Sequence, residues 1–324
     1  MIARIRGALD PYILALLGTV VLASLLPARG GVAQAAGTLS NVGIVVLFFL
    51  HGAKLSREAI LAGAGNWRLH GAVLGTTFVL FPLLGLAIAA LPGLPPLVAT
   101  GMLFLTLLPS TVQSSIAFTS IAGGNVAAAV CSASFSNLIG IFVTPLLAAL
   151  LMSGQGAGVS WDAAEKIVLQ LLVPFMAGHL LRPVVGGWVG RHRPLVSYVD
   201  RGSVLLVVYT AFSAAVVGGL LQRMAPGTVV VILLLSGALL AFVLAFTWSA
   251  GKALGLARED GLVLLFCGSK KSLATGVPIA GVLFPAAQVG AVILPCMMFH
   301  QIQLIACAII ARHFAQSARL RPVR

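Results

Sequence analysis

Two adjacent lysines, Lys270 and Lys271, lie near the centre of the long apolar stretch Leu262–Phe284. As a helix this stretch could cross a lipid bilayer, and a rise of about 1.5 Å per residue would place the lysines close to the midplane. A charged group at that depth costs about 2.5–3.5 kcal/mol on insertion scales, and it usually faces a protein interior or a wet cavity. The two lysines are therefore the first candidates for a functional site.

Three roles are open to this pair. A lysine could neutralise the carbonyl groups at a helix C-terminus and so hold two broken helices together. It could instead carry a proton, or it could bind an anionic substrate directly. Consecutive side chains on a helix point about 100° apart, so the two lysines need not share one role.

Two apolar stretches are interrupted near their centres. In the stretch with the lysines, Gly268, Gly276 and Pro278 weaken a helix, and the proline also lacks an amide donor. The fourth apolar stretch from the N-terminus is interrupted at Pro109. We predict helix breaks at these four residues. Paired interruptions in the two halves of a chain are typical of substrate sites in secondary transporters.

Polar side chains close to the interruptions are further candidates for binding. Those after Pro109 could bind an anion together with the free amides of the next half-helix, or could only satisfy backbone groups that the proline frees. His300 could be a ligand or a buried packing residue. The candidates are Lys270, Lys271, Thr111, Gln113, Ser114, Ser115, Ser269, Ser272, His300 and Gln303.

The composition is that of a polytopic membrane protein. Of the 324 residues, 60% are hydrophobic and 8% are charged, and the mean hydropathy is +1.09. The N-terminal stretch also has features of a cleaved signal peptide, but the length of its apolar run favours a retained span. The predicted fold class is all-α with ten transmembrane helices, at about 11–27, 39–55, 70–91, 97–121, 126–152, 163–182, 198–219, 227–249, 261–284 and 290–312.

Several function classes are excluded by what the sequence contains. The net charge of +13 comes from basic residues at the ends of apolar stretches, without the aromatic residues that interleave them in nucleic-acid-binding segments. None of the four cysteines has zinc-ligand spacing, and no nucleotide-binding glycine motif is present, so we predict neither an enzyme nor a nucleic-acid partner. We expect no cofactor, apart from Na⁺ or H⁺ as a coupling ion.

The distribution of Lys and Arg predicts the topology. With a cytoplasmic N-terminus, fifteen of the twenty basic residues fall in cytoplasmic segments and three in external ones, and the other two are Lys270 and Lys271. Ten spans divide into five and five, and an odd number per half requires inverted repeats, at about 1–155 and 160–324. We expect one transmembrane domain over 1–324, in a bacterial-type inner membrane with both termini cytoplasmic.

Three stretches resemble the bile acid:sodium symporter superfamily, in particular its orphan, bile-acid-transporter-like branch. They are Phe48–Leu55, Pro109–Leu147 and Phe266–Leu273, and His300 and Gln303 fit the same branch. The resemblance implies that a core at about 70–152 and 227–312 moves against a panel at about 11–55 and 163–219. It also implies that the fourth and ninth helices are unwound and cross near the midplane.

The chain departs from sodium-coupled members of this family in the ninth helix. The family's glutamate corresponds here to Phe266, and Lys270 falls at or near a glutamine position. The branch keeps the second lysine, which makes Lys271 the more significant of the two by this comparison. Without a carboxylate and beside two lysines, the site is electrostatically unsuited to Na⁺.

The resemblance also assigns hydroxyl groups in the fourth and fifth helices. Ser114 matches a serine that binds sodium in the family, whereas Ser115 replaces an asparagine. Ser132 and Ser134 would supply further hydroxyls from the fifth helix.

Together these features indicate a secondary transporter that moves a small or amphipathic organic anion by alternating access, without conventional sodium coupling. Two alternatives remain open at this point. One is a sodium-coupled organic anion symporter, and the other is a membrane regulator or sensor that binds on the same fold without translocation.

The topology is directly testable. A reporter that is active only in the cytoplasm, fused after Arg324, should be active, because the basic residues favour a cytoplasmic C-terminus. Activity of a periplasmic reporter at the same position would contradict both the ten-span count and the inverted repeat.

Overall fold

The computed structural model describes residues 11–54, 65–152, 168–219 and 226–319, and these residues form helices and no strand. We number the helices in chain order. They are α1 Pro11–Leu25, α2 Gly30–Lys54, α3 Trp67–Ala89, α4 Pro96–Leu107, α5 Gln113–Ile121, α6 Val126–Met152, α7 Val168–Leu180, α8 Arg182–Arg191, α9 Arg193–Val217, α10 Pro226–Ala253, α11 Arg258–Gly268, α12 Leu273–Leu283 and α13 Ala286–Arg319.

Length and composition allow seven membrane spans among the described residues. They are Gly30–Lys54, Trp67–Ala89, Val126–Met152, Arg193–Val217, Gly227–Ala253, Arg258–Leu283 and Ala286–Ser317. Helices α7 and α8 form an eighth if this pair, which is bent by 91°, counts as one span. Helices α1 and α4 are apolar but shorter. The all-helical, multi-pass fold is thus confirmed, and the exact number of ten spans stays a prediction.

The chain forms two compact units, and each is interleaved along the sequence. The first unit lies within residues 1–54, 160–225 and 277–291. The second lies within residues 55–159, 226–276 and 292–324. Helices α12 and α13 each contribute residues to both units. Residues 277–283 of α12 and 286–291 of α13 belong to the first unit, and the rest of each helix belongs to the second.

In the first unit, the backbones of α2 and α7 approach each other closely at two glycines. A Cβ atom on Gly52 would collide with the carbonyl oxygen of Phe175, and one on Gly178 would collide with the carbonyl oxygen of Phe49. Small residues of this kind allow backbones in membranes to approach closely and to gain dispersion energy.

In the second unit, α11 is surrounded on all sides. Every residue from Gly261 to Gly268 is buried, and the helix packs against α3 and α6 on one side and against α5, α10 and α13 on another. After its charged first turn the helix is apolar all round, as is expected in such a position. Its C-terminal end therefore lies in the interior, away from water, and its carbonyl groups need protein partners.

The N-terminal ends of three helices in this unit are tied to one carboxylate. Asp260, in the first turn of α11, accepts hydrogen bonds from the side-chain amides of Asn66 at 2.8 Å and Asn125 at 2.9 Å. The amide oxygens of these asparagines accept from Leu69 N in α3 and Ala128 N in α6. This network fixes α3, α6 and α11 relative to one another.

The packing of α2 on α7 predicts a sharp difference between two glycines of one helix. Gly52→Ala should destabilise the protein by about 1–3 kcal/mol, because the added methyl group overpacks a backbone contact. Gly37→Ala, also in α2, should cause no loss, because nothing lies within 4 Å of its Cβ position. Thermal unfolding of purified protein would measure both, and equal melting temperatures would contradict this packing.

Candidate functional site

Two helix breaks in the second unit lie against each other. Helix α4 ends at Leu107, because Pro109 disfavours a helical conformation at Leu108, whose backbone is extended (φ −72°, ψ 153°). The second break lies between the end of α11 at Gly268 and the start of α12 at Leu273. The amide of Ser272 donates to the carbonyl oxygen of Pro109 at 2.8 Å, which joins the two breaks directly.

The predicted breaks at Gly276 and Pro278 are wrong, because α12 runs through both residues. Pro278 removes the amide that would bond to the carbonyl of Ala274 and crowds that carbonyl, yet the helix continues through it to Leu283. Gly276 has a packing role, since a Cβ atom there would collide with the side chain of Leu108.

Serine hydroxyls satisfy the carbonyl groups at the end of α11. Ser110 donates to the carbonyl oxygen of Cys267 at 2.6 Å, and Ser115 donates to that of Phe266 at 3.0 Å. Ser269 donates back to the carbonyl oxygen of Leu265 at 2.5 Å. Carbonyl groups in the last turn of a helix have no partner within the helix, so these hydroxyls replace water in a buried position.

At the end of α4, the ammonium group of Lys271 satisfies the carbonyl groups that have no partner within the helix. Its Nζ donates to the carbonyl oxygens of Thr106 at 2.8 Å, Leu108 at 2.7 Å and Thr77 at 2.8 Å. The side chain is fully buried, and Nζ lies 4.1 Å from the ring centroid of Phe81. An ammonium group has three N–H donors, and all three are used here.

The third of these carbonyls, at Thr77, is available because of a π-helical turn in α3. In this turn, Thr76–Leu80, the amide of Phe81 bonds to the carbonyl oxygen of Thr76. In the same register the carbonyl of Thr77 would accept from residue 82, but that residue is Pro82, which has no amide hydrogen. The local sequence of α3 therefore leaves one carbonyl oxygen free to bind Lys271.

The neighbouring Lys270 has a different environment, although it is also fully buried. Its Nζ has no hydrogen-bond acceptor among the described residues. Instead, it lies 4.1 Å from the ring centroid of Phe118 in α5 and 5.6 Å from that of Phe266.

The amide side chain of Gln303, in α13, holds the backbone of the second break. Its Oε1 accepts from the amide of Lys271 at 2.9 Å, and its Nε2 donates to the carbonyl oxygen of Lys271 at 2.9 Å. The same Nε2 also lies 2.8 Å from His300 Nδ1. Because Nε2 can only donate, this contact makes His300 Nδ1 an acceptor.

Asn137 of α6 forms hydrogen bonds to residues at both breaks. It was not among the predicted residues. It donates to the carbonyl oxygen of Ser110 at 2.7 Å and accepts from Thr275 Oγ1 at 3.1 Å. Thr275 in turn contacts the hydroxyl of Ser272 at 3.0 Å. The available signal was that Asn137 is the single amide side chain within the apolar residues 126–152.

The remaining predicted residues divide into those near the breaks and those elsewhere. Thr111 Oγ1 lies 2.8 Å from Ser114 Oγ and 3.0 Å from Ser115 Oγ, and Gln113 is exposed at the start of α5. Ser132 lies elsewhere, since its hydroxyl contacts His70 Nδ1 in α3 at 2.8 Å. Ser134 is half-buried on α6.

The charges around the breaks are of one sign. Residues 105–116 and 265–276 contain two lysines and no carboxylate, and two helices, α5 and α12, begin there with their positive ends. Within the described residues, no group of three or more His, Cys, Asp or Glu side chains could hold a metal ion.

Comparison with known proteins shows the family to which the chain belongs. The sequence profile of the SBF-like CPA transporter family matches residues 10–316, which is nearly the whole chain. The chain belongs to this transporter family. The resemblance to bile acid:sodium symporters is therefore confirmed, as are the predictions of a transporter and against an enzyme.

Individual relatives agree with this assignment. "Uncharacterized protein PA2026" of Pseudomonas aeruginosa is 53% identical over 319 residues, which cover 97% of this chain and 95% of that protein. "Putative symporter YfeH" of Escherichia coli is 51% identical over 308 residues, 94% and 93% of the two chains. Sodium/bile acid cotransporter 7-B of Xenopus laevis is 25% identical over 302 residues, 91% and 88% of the two chains.

The contacts of the two lysines predict opposite effects of the same substitution. Lys271→Met should destabilise the protein strongly, by about 1–3 kcal/mol for each buried carbonyl that loses its donor. Lys270→Met removes a buried charge without a hydrogen-bond acceptor among the described residues, so it should leave the melting temperature unchanged or raise it. Thermal unfolding in one detergent would compare them, and a larger loss for Lys270→Met would contradict the two environments.

Proposed function

We propose that this family member is a secondary active transporter that moves a small or amphipathic organic anion across the bacterial inner membrane, without conventional sodium coupling. The observation that carries the proposal is the binding of the Lys271 ammonium group by three backbone carbonyl oxygens. The ammonium group is a monovalent cation that belongs to the chain itself.

The carbonyl oxygens around Lys271 are the kind of ligand that hard cations such as Na⁺ prefer. With the ammonium group already bound to them, a sodium ion would have to share these oxygens with a positive charge that cannot leave. No carboxylate within residues 105–116 or 265–276 offsets that repulsion. A transporter built in this way has no need of sodium at this position.

The charge and exposure of the two half-helix N-termini support an anionic substrate. Gln113 and Ala274 are exposed at the starts of α5 and α12, and Ser114 is half-buried beside Gln113. Free amides at helix N-termini bind anions, and in secondary transporters such ends point to the anionic groups of substrates. The name of the Xenopus relative refers to bile acids, which are amphipathic organic anions.

For the movement itself, we propose ten spans in two inverted repeats with both termini cytoplasmic. The panel would comprise about 11–55 and 163–219, and the core about 70–152 and 227–312. Alternating access would then be a movement of the core against the panel, with the hydrogen-bonded breaks carried in the core.

The test is counterflow in proteoliposomes, with labelled taurocholate and labelled small carboxylates as probes. We expect labelled probe to exchange for unlabelled probe at the same rate in sodium and in choline buffers. An absolute requirement for sodium would contradict the proposed role of Lys271. Binding of a probe without exchange would favour a regulator or sensor on the same fold.

One variant localises the anion site. Ser114→Leu should reduce exchange at least tenfold and leave the protein folded, because it fills the start of α5 with an apolar side chain. The matched control is Ser120→Leu, which changes an exposed serine of the same helix. Equal exchange by the two variants would remove Ser114 from the site.

A further inference from the structure

Lys270 lies in the second break, but its side chain makes none of the hydrogen bonds described above. Its side chain is as deeply buried as that of Lys271, at 0% exposure, yet its Nζ has no hydrogen-bond acceptor among the described residues. Two residues that are adjacent in sequence and equal in burial therefore differ completely in how their charge is accommodated.

The surroundings of Lys270 Nζ are apolar. It lies against the faces of Phe118 and Phe266, which pack in a cluster with Trp248 of α10 and Phe314 of α13. The face of an aromatic ring attracts a cation, but it replaces none of the three hydrogen bonds that water gives to an ammonium group.

A buried charge in such surroundings has two ways to lower its free energy. It can acquire a partner of opposite charge, or it can lose its proton and become neutral. Lys271 shows the alternative of full hydrogen bonding, which Lys270 lacks. In the described conformation the rings of Phe118 and Phe266 cover Nζ, and the side chain has no exposed surface that an organic anion could contact. Exchange of a proton is the course that remains.

In the described part of the chain, the ionisable groups around Lys270 include no carboxylate that would hold its proton in place. Among the residues that the structure describes, the titratable side chains that interact with its charge are Cys307 of α13 and Cys267 of α11, and both are buried thiols. Lys252 and Arg258 lie at the edge of the same aromatic cluster, stacked on Trp248 and Phe314. None of these four groups is a carboxylate that would hold the lysine permanently charged.

We propose that Lys270 binds and releases the proton that accompanies the transported anion. This inference rests on the proposed transport function and names its coupling ion. The proton comes from water on one side of the membrane, binds the Nζ lone pair, and returns to water on the other side. One proton with one monovalent anion makes the transport cycle electrically neutral. Protonated Lys270 adds a positive charge three residues before the start of α12, where the anion is proposed to bind.

The test needs no substrate. Proteoliposomes adsorbed on a solid-supported membrane are subjected to a pH jump, and the transient charge displacement is recorded against empty liposomes. We expect a transient in the wild type that falls at least tenfold in Lys270→Met. Lys270→Gln should behave in the same way, which provides a second variant if the first one folds poorly.

The matched control is Lys252→Met. Lys252 is also stacked on an aromatic ring, with its Nζ 4.8 Å from the centroid of Trp248, but it is exposed. Its variant should keep the wild-type transient. A wild-type transient in both Lys270 variants, or none in the wild type, would overturn the proposal.

Counterflow separates this inference from the proposed function. If every probe fails to exchange while the transient depends on Lys270, the proposal of anion transport is contradicted and the proposal of proton binding by Lys270 is supported. If probes exchange but imposed pH gradients drive no accumulation, the anion transport stands and the coupling by Lys270 is overturned.

Discussion

The second unit depends on one requirement, which is that the backbone groups at two helix ends inside the protein must be satisfied without water. Helices α4 and α11 both end in the interior, and the last carbonyl groups of each have no partner within the helix. The chain supplies an ammonium group from Lys271 at one end and hydroxyl groups from Ser110 and Ser115 at the other. Each break therefore carries donors that satisfy the helix end at the other break.

This exchange of donors explains why the two lysines differ. Gln303 fixes the backbone of Lys271 through both its amide and its carbonyl group, and this sets the direction of the side chain towards α4. The preceding side chain must then point elsewhere, into the aromatic cluster that contains Phe118. The geometry of one backbone segment therefore gives one lysine a structural contact and leaves the other with a charge that its surroundings barely solvate.

The sequence was informative where a single residue has a strong local effect. Pro109 identified a break because a proline restricts the residue before it, and charges within an apolar stretch identified the lysines. It could not show which carbonyl groups surround Lys271, because these come from residues far away in the chain. The contact of Ser132 with His70, the role of Asn137 and the packing of Gly276 on Leu108 also depend on distant partners.

The π-helical turn in α3 links position 82 to Lys271 through a backbone carbonyl group. Because Pro82 lacks an amide hydrogen, the Thr77 carbonyl oxygen remains available to Lys271. Any other residue at position 82 would bring an amide hydrogen that competes with the lysine for this oxygen. The two positions are thus expected to change together in evolution: a lineage that loses the lysine no longer needs the proline, and a regular helix would return.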